Sequence, residues 1–121
     1  MNRKFFHSAY ILFALIPNLA NAEEGLTVGR YLELKNKNEV SKEYVTTYVG
    51  GIGQGVFFAS VFGAQTLGNK PLLCPPNNLR LTGEITNSVF EKFLKNSSAN
   101  LDKFPVGIVV ADALRKEYPC K

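Results

Sequence analysis

Apolar side chains recur at helical spacing in four segments of this chain, and they define its predicted elements. The first segment begins after Thr27, a favourable N-cap, and gives way to the polar stretch 35–38, which predicts a loop. From Ser41 a second segment carries no charge between Tyr44 and Asn69, and its apolar spacing predicts a helix over 42–65. The two segments together predict a short helix followed by a long one.

The carboxyl-terminal half shows the clearest amphipathic patterns. Residues 67–80 hold three prolines and three asparagines and predict a loop, after which Thr82 is the predicted N-cap of a third helix. One face of that helix would carry Ile85, Val89, Phe90, Phe93 and Leu94. Pro105 suits the start of a last helix, although 107–110 alone would also fit a strand. Its predicted inward residues are Val106, Val109, Val110, Ala113 and Leu114. The pattern predicts an all-α fold, a small bundle of four to five helices.

Small side chains form a predicted ridge on the long helix. Gly51, Gly55, Ala59 and Gly63 follow one another at intervals of four residues and so share one helical face. Each helix glycine costs roughly 1 kcal/mol relative to alanine, so we expect the ridge to allow close approach of another helix. That helix would belong either to the same domain or to a second subunit. An uncharged stretch with this spacing also fits a transmembrane helix, but Gln54 and Gln65 interrupt it.

The amino end has the order of a cleavable secretion signal. A basic start at residues 2–4 precedes a short apolar stretch over 9–16, and Ala20-Asn21-Ala22 then supplies a small-residue cleavage site. The apolar stretch is shorter than the roughly 20 residues that span a bilayer. We therefore predict a signal peptide over residues 1–22, a mature domain over residues 23–121, and a periplasmic location without membrane attachment after cleavage.

Cys74 and Cys120 are the only cysteines. In an exported chain they would meet an oxidising compartment, which favours a disulfide between them. Two free thiols or a metal site are the alternatives. A metal site would lack ligands, because the mature chain has no histidine and the cysteines are far apart in sequence.

Charge and residue types favour binding over catalysis. Removing Arg3 and Lys4 with the signal lowers the net charge from +4 to +2, which predicts no nucleic-acid partner. The only histidine, His7, leaves with the signal, so histidine-dependent catalysis is excluded. The carboxylates are scattered along the helices. The sequence therefore predicts a binding protein with no catalytic residue, no metal site and no cofactor.

Short motifs of the chain resemble those of the Rap/Tai immunity family. They are Cys74-Pro75-Pro76, Leu81-Thr82 at a helix start, Phe104-Pro105, the terminal run from Ala113 to Cys120, and Tyr48-Val49-Gly50-Gly51-Ile52. The resemblance implies a periplasmic all-α protein, often a homodimer, that binds and sterically blocks a peptidoglycan amidase delivered by type VI secretion. It also implies that Cys74 and Cys120 match the family's paired cysteines.

The loop between the second and third helices is the candidate contact region for such a toxin. It is polar, stiffened by prolines and anchored by Cys74, so it would be ordered before binding. Its candidate partner-binding residues are Asn69, Lys70, Asn77, Asn78 and Arg80. The alternative function is that of a periplasmic chaperone or stress protein of the HdeA type, which has no toxin partner.

Overall fold

The structure is a computed structural model that describes residues 25–121. Within that range it has four α-helices and no β-strand, which confirms the all-α prediction at four helices. The helices are α1 (Val28–Lys37), α2 (Glu39–Thr66), α3 (Gly83–Asn96) and α4 (Val106–Glu117). The predicted signal peptide, residues 1–22, lies outside the described residues.

The break between α1 and α2 is one residue long, so the predicted loop at 35–38 is wrong. Asn38 is extended, and its side chain accepts a hydrogen bond of 2.8 Å from the backbone N–H of Ser41. Helix α1 therefore continues through Lys37, and α2 begins at Glu39 rather than at residue 42. Residues 35–37 of this stretch are helix positions at the end of α1, and Asn38 alone ends one helix and caps the next.

The predicted caps and inward faces of the other helices are confirmed, with small shifts. The Thr27 hydroxyl accepts from the Arg30 N–H at 3.3 Å, and Thr82 accepts from the Ile85 N–H at 3.2 Å. Pro105 precedes α4 as its N-cap residue instead of occupying its first turn. The five predicted inward side chains of α4 are all buried. Segment 107–110 is helical, so the strand alternative is wrong.

The core lies where α2 meets the other three helices. Tyr31 of α1 and Phe90 of α3 are both fully buried, and their rings meet edge-to-face with centroids 5.1 Å apart. Val45 and Val49 of α2 and Leu114 of α4 fill the space around them. Burial of these side chains is the main favourable term for a domain of this size.

Glycines let α2 approach α3 closely, at positions other than the predicted ridge. A Cβ added to Gly50 would lie 2.9 Å from the Cα of Gly83, and one added to Gly53 would overlap the Thr86 side chain. By contrast, a Cβ added to Gly51 or Gly55 would meet nothing within 4 Å. The glycines that permit close packing inside the domain are therefore Gly50 and Gly53.

The start of the described chain is tied to the segment before α4. Leu26 accepts a backbone hydrogen bond from the Val106 N–H at 2.8 Å, and the Val28 N–H donates to Phe104 at 3.0 Å. Thr27 and Pro105 form an isolated antiparallel bridge. These bonds join α1 and α4 at one end of the bundle.

Among the described residues, α2 is the one helix long and apolar enough to cross a membrane by length and composition. That observation is weak evidence for a membrane span, because core helices of globular proteins meet the same criteria. Helix α2 contacts each of the other three helices. Part of its apolar character therefore serves packing inside the domain.

Candidate binding surfaces

The segment between α2 and α3, residues 67–82, is irregular, as predicted, and its candidate binding residues are exposed. The side chains of Asn69, Lys70, Asn77, Asn78 and Arg80 all face solvent. Within residues 25–121, neither Lys70 nor Arg80 takes part in an ion pair. The two basic groups are therefore available to a partner.

A disulfide fixes this loop to the end of α4. Cys74 and Cys120 are bonded, with their Cα atoms 5.0 Å apart, which confirms the predicted pairing and removes the free-thiol and metal-site alternatives for these residues. The Cys74 N–H also donates to the Tyr118 carbonyl at 2.9 Å. A covalent bond and a backbone hydrogen bond thus hold the middle of the loop against the carboxyl-terminal segment.

Ser60 provides a second anchor from inside α2. Its side chain is buried, and its hydroxyl oxygen accepts from the Leu72 N–H at 2.8 Å and from the Leu73 N–H at 3.3 Å. Farther along the loop, the Gln54 amide donates to the Leu81 carbonyl. The loop is therefore held at several points along its length, so little freedom remains to be lost on binding.

The outward side of α2 is an uncharged surface. It carries the small residues Gly51, Gly55 and Ala59 together with large apolar side chains, and all of them are exposed. We call it the α2 outer face, and its members are Tyr44, Tyr48, Gly51, Gly55, Phe58, Ala59 and Phe62. Gly63, the last residue of the predicted ridge, is half-buried and lies beside Asn69. The described residues leave the α2 outer face uncovered.

A cavity of about 470 Å³ opens between α2, the loop and the helices α3 and α4. Its walls are mostly apolar, and Asp112 and Arg115 are its only charged lining residues. The apolar lining consists of Val56, Leu72, Leu73, Phe93, Leu101, Phe104, Ile108, Val109 and Ala111. Its volume falls within the roughly 300–1,000 Å³ that is usual for ligand sites.

Two cations share one carboxylate beside this cavity. Asp112 accepts from Lys116 at 3.0 Å and from Arg115 at 2.9 Å. Hydrogen bonding to Lys116 first, and then to Arg115, lowers the pKa of Asp112 below its usual range. Lys116 also lies over the Phe93 ring at 4.7 Å from its centroid. The group carries a net positive charge.

A second polar group lies between α1 and α3, partly buried at the junction of the two helices. Lys35 and Glu91 form an ion pair that links the two helices, and the fully buried Tyr31 lies against it. Burial, and then the negative charge of Glu91, raises the pKa of Tyr31 to about 12. The Tyr31 hydroxyl makes no hydrogen bond within the described residues. The group links α1 to α3, and its two charged side chains remain partly exposed.

Within residues 25–121 there is no histidine, and no group of three acidic or cysteine side chains could hold a metal ion. Both cysteines are consumed by their disulfide.

The model of one protein family, Rap1a immunity proteins, matches residues 27–120, which span all four helices and the disulfide. The chain belongs to this family. Searches of the curated proteins and of the solved structures returned no match.

Membership confirms the resemblance drawn from the cysteine-proline and terminal motifs. It implies immunity against a secreted effector, which a Rap1a immunity protein binds as its cognate toxin. Proteins of this family are generally not enzymes and are typically secreted or periplasmic. The exposed loop, the α2 outer face and the cavity are candidate binding surfaces of this Rap1a protein.

Sequence reasoning missed Ser60 and the cavity. Ser60 follows Val49, Gly53 and Val56 at helical spacing. Its place on the inward face of α2 could therefore have been predicted from the sequence. The bonds that it makes depend on where the loop runs, which the pattern does not specify. The cavity has no sequence signal, because its lining residues come from all three of the helices α2, α3 and α4 and from the two connections between them.

Proposed function

We propose that this protein binds a type VI secreted peptidoglycan amidase in the periplasm and inhibits it by blocking access to its active site. The family match over residues 27–120 carries the proposal, because it identifies an immunity protein and covers the whole helical domain. The anchored loop supports steric inhibition, since a rigid projection can occupy a cleft at low entropic cost.

The loop residues Asn69, Lys70, Asn77, Asn78 and Arg80 are the proposed toxin contacts. All five are exposed, and the backbone that carries them is held by the disulfide and by Ser60. Lys70 and Arg80 add positive charge without an ion-pair partner in the described chain, so the proposed contact on the amidase is acidic.

A second copy of the chain is the proposed partner of the α2 outer face. Small side chains between exposed aromatic rings permit close approach of two such helices, and the absence of charge from Tyr44 to Asn69 removes repulsion across a seam. Light scattering after size exclusion should give twice the monomer mass for the wild type. Phe58→Glu, at an exposed position, should lower that mass to the monomer value without unfolding the protein.

Inhibition of peptidoglycan hydrolysis tests the central proposal. A panel of purified type VI amidases is incubated with peptidoglycan, with and without the protein, and we expect stoichiometric inhibition of the cognate one. Inhibition of none of them, together with protection of a client protein at acid pH, would instead support a stress protein of the HdeA type.

A charge-reversal pair tests the loop. Lys70→Glu with Arg80→Glu should weaken binding of the inhibited amidase and leave the thermal midpoint unchanged. Lys37→Glu with Lys95→Glu is the matched control, because it makes the same change in charge at exposed helical positions elsewhere. Equal affinity in the loop and control variants would remove the loop from the interface.

A further inference from the structure

The cavity beside the loop combines a concave shape with a mostly apolar lining. Three large apolar side chains at its edge remain about half exposed: Leu72 at 55%, Phe104 at 50% and Ile108 at 62%. A single exposed apolar residue is ordinary on a protein surface. Three of them surround one opening, so a partner seated there would cover all three.

The cavity is formed before any partner arrives. Ser60 holds the backbone of Leu72 and Leu73, which line one side, and the disulfide follows at Cys74. Val109, which also lines the cavity, belongs to the buried core. A preformed concavity needs little ordering on binding, and such sites receive the apolar anchor residues that dominate many interfaces.

The cavity and the α2 outer face are different surfaces. Val56 lines the cavity and follows Gly55 of the outer face by one residue, which is about 100° around the helix. A second copy packed along the outer face would therefore leave the cavity open. The cavity instead adjoins the loop, since Leu72 lies two residues after Lys70.

The charge beside the cavity indicates the chemistry of the partner. Arg115 and Lys116 share the single carboxylate of Asp112, which leaves an excess of one positive charge where the apolar wall ends. An apolar core with an arginine-bearing polar rim is the usual composition of a specific protein interface. A carboxylate on the partner would complement this charge.

We propose that the cavity receives apolar side chains of the effector, flanked by an acidic residue of the effector that faces Arg115. The inference rests on the proposed function, because it assigns a second contact to the same toxin. The loop would then supply polar contacts, and the cavity would hold the apolar anchor beside them.

Binding of the inhibited amidase to single variants, measured by calorimetry, tests this assignment. Ile108→Glu and Leu72→Glu place a charge at exposed positions on the cavity edge, and each should weaken binding by about 30-fold or more, as for a central anchor contact. Val40→Glu is the control, because Val40 is 79% exposed and lies outside the cavity lining. It should bind as the wild type does.

Arg115→Gln tests the acidic neighbour. It leaves Asp112 paired with Lys116, so the fold is preserved, and it should weaken binding by about fivefold and reduce its dependence on salt. Unchanged affinity and salt dependence would contradict the acidic contact.

Three results would overturn the assignment in distinguishable ways. Wild-type affinity in both Ile108→Glu and Leu72→Glu, with inhibition intact, would refute the cavity contact alone. A fall in the mass of Ile108→Glu from dimer to monomer would assign the cavity to a second copy. Inhibition of no amidase by the wild type would refute the proposed function and the cavity contact together.

Discussion

Two alanine substitutions two residues apart on α2 should have opposite effects on stability. Gly53 faces α3, where an added Cβ would overlap the Thr86 side chain, whereas Gly55 faces open space. Both sites are interior helix positions, so alanine improves the intrinsic helix propensity of each by about 1 kcal/mol. Comparing the stabilities of the two variants therefore separates the effect of packing against α3 from the effect of helix propensity.

The size of the difference follows from the surroundings of Thr86. This residue is fully buried, and its hydroxyl donates to the Thr82 carbonyl at 3.0 Å, so its side chain cannot turn away from a new methyl group. Helix α3 must then shift, which is an overpacking change that costs about 1–3 kcal/mol. We expect Gly55→Ala to raise the free energy of unfolding by about 1 kcal/mol and Gly53→Ala to lower it by up to about 2 kcal/mol, which is the overpacking cost less the gain in helix propensity.

Urea unfolding followed by circular dichroism measures both variants in the Phe58→Glu background, against Phe58→Glu alone, so that the proposed seam along the α2 outer face does not contribute. Thermal unfolding should show the same order, with about 4–8 °C per kcal/mol for a domain of this length. Thr86→Ala in the Gly53→Ala background should recover part of the loss, because it removes two of the three atoms that the new Cβ would meet. Equal stability of Gly53→Ala and Gly55→Ala would refute the described contact between α2 and α3.

Three further predictions concern single anchors of the fold. Replacing Cys74 and Cys120 with alanine should lower the free energy of unfolding in urea by about 4 kcal/mol, from the loop entropy of a 46-residue separation; no change would contradict a stabilising role. Ser60→Ala should cost about 1–3 kcal/mol and speed hydrogen exchange in the loop, whereas Ser88→Ala, at an exposed position, should do neither. Because folding raises the Tyr31 pKa from 10.0 to about 12, its contribution is fully present below pH 10 and is lost as the pH rises towards 12. Tyr31→Phe should therefore flatten the alkaline fall in stability, and an unchanged slope would assign the fall to other groups.

The sequence was most informative where one residue decides a boundary. Thr27 and Thr82 were recognisable as caps because each threonine precedes a segment with helical apolar spacing. A hydroxyl at that position accepts a hydrogen bond from a backbone N–H in the first turn of the helix. The start of α2 was missed because four polar residues in succession resemble a loop. In the folded chain only Asn38 leaves the helical conformation.

The glycine ridge shows why spacing alone does not locate a contact. Intervals of four place Gly51 and Gly55 on one face of α2, but the pattern does not say whether that face is turned inward. The choice depends on Gly83 and Thr86, which lie on another helix and whose positions are set by the whole bundle. The cavity escaped prediction for the same reason, since its walls are distant in sequence.

The backbone bonds between Leu26 or Val28 and the segment before α4 have a consequence for how the chain acquires its structure. During synthesis or export the amino end emerges first, but its hydrogen-bond partners are among the last third of the residues to follow. The hydrogen bonds at the start of α1 therefore cannot form until residues 102–106 have been synthesised or exported. We expect premature termination before residue 101 to leave a product that is readily degraded by proteases, and not a smaller stable domain.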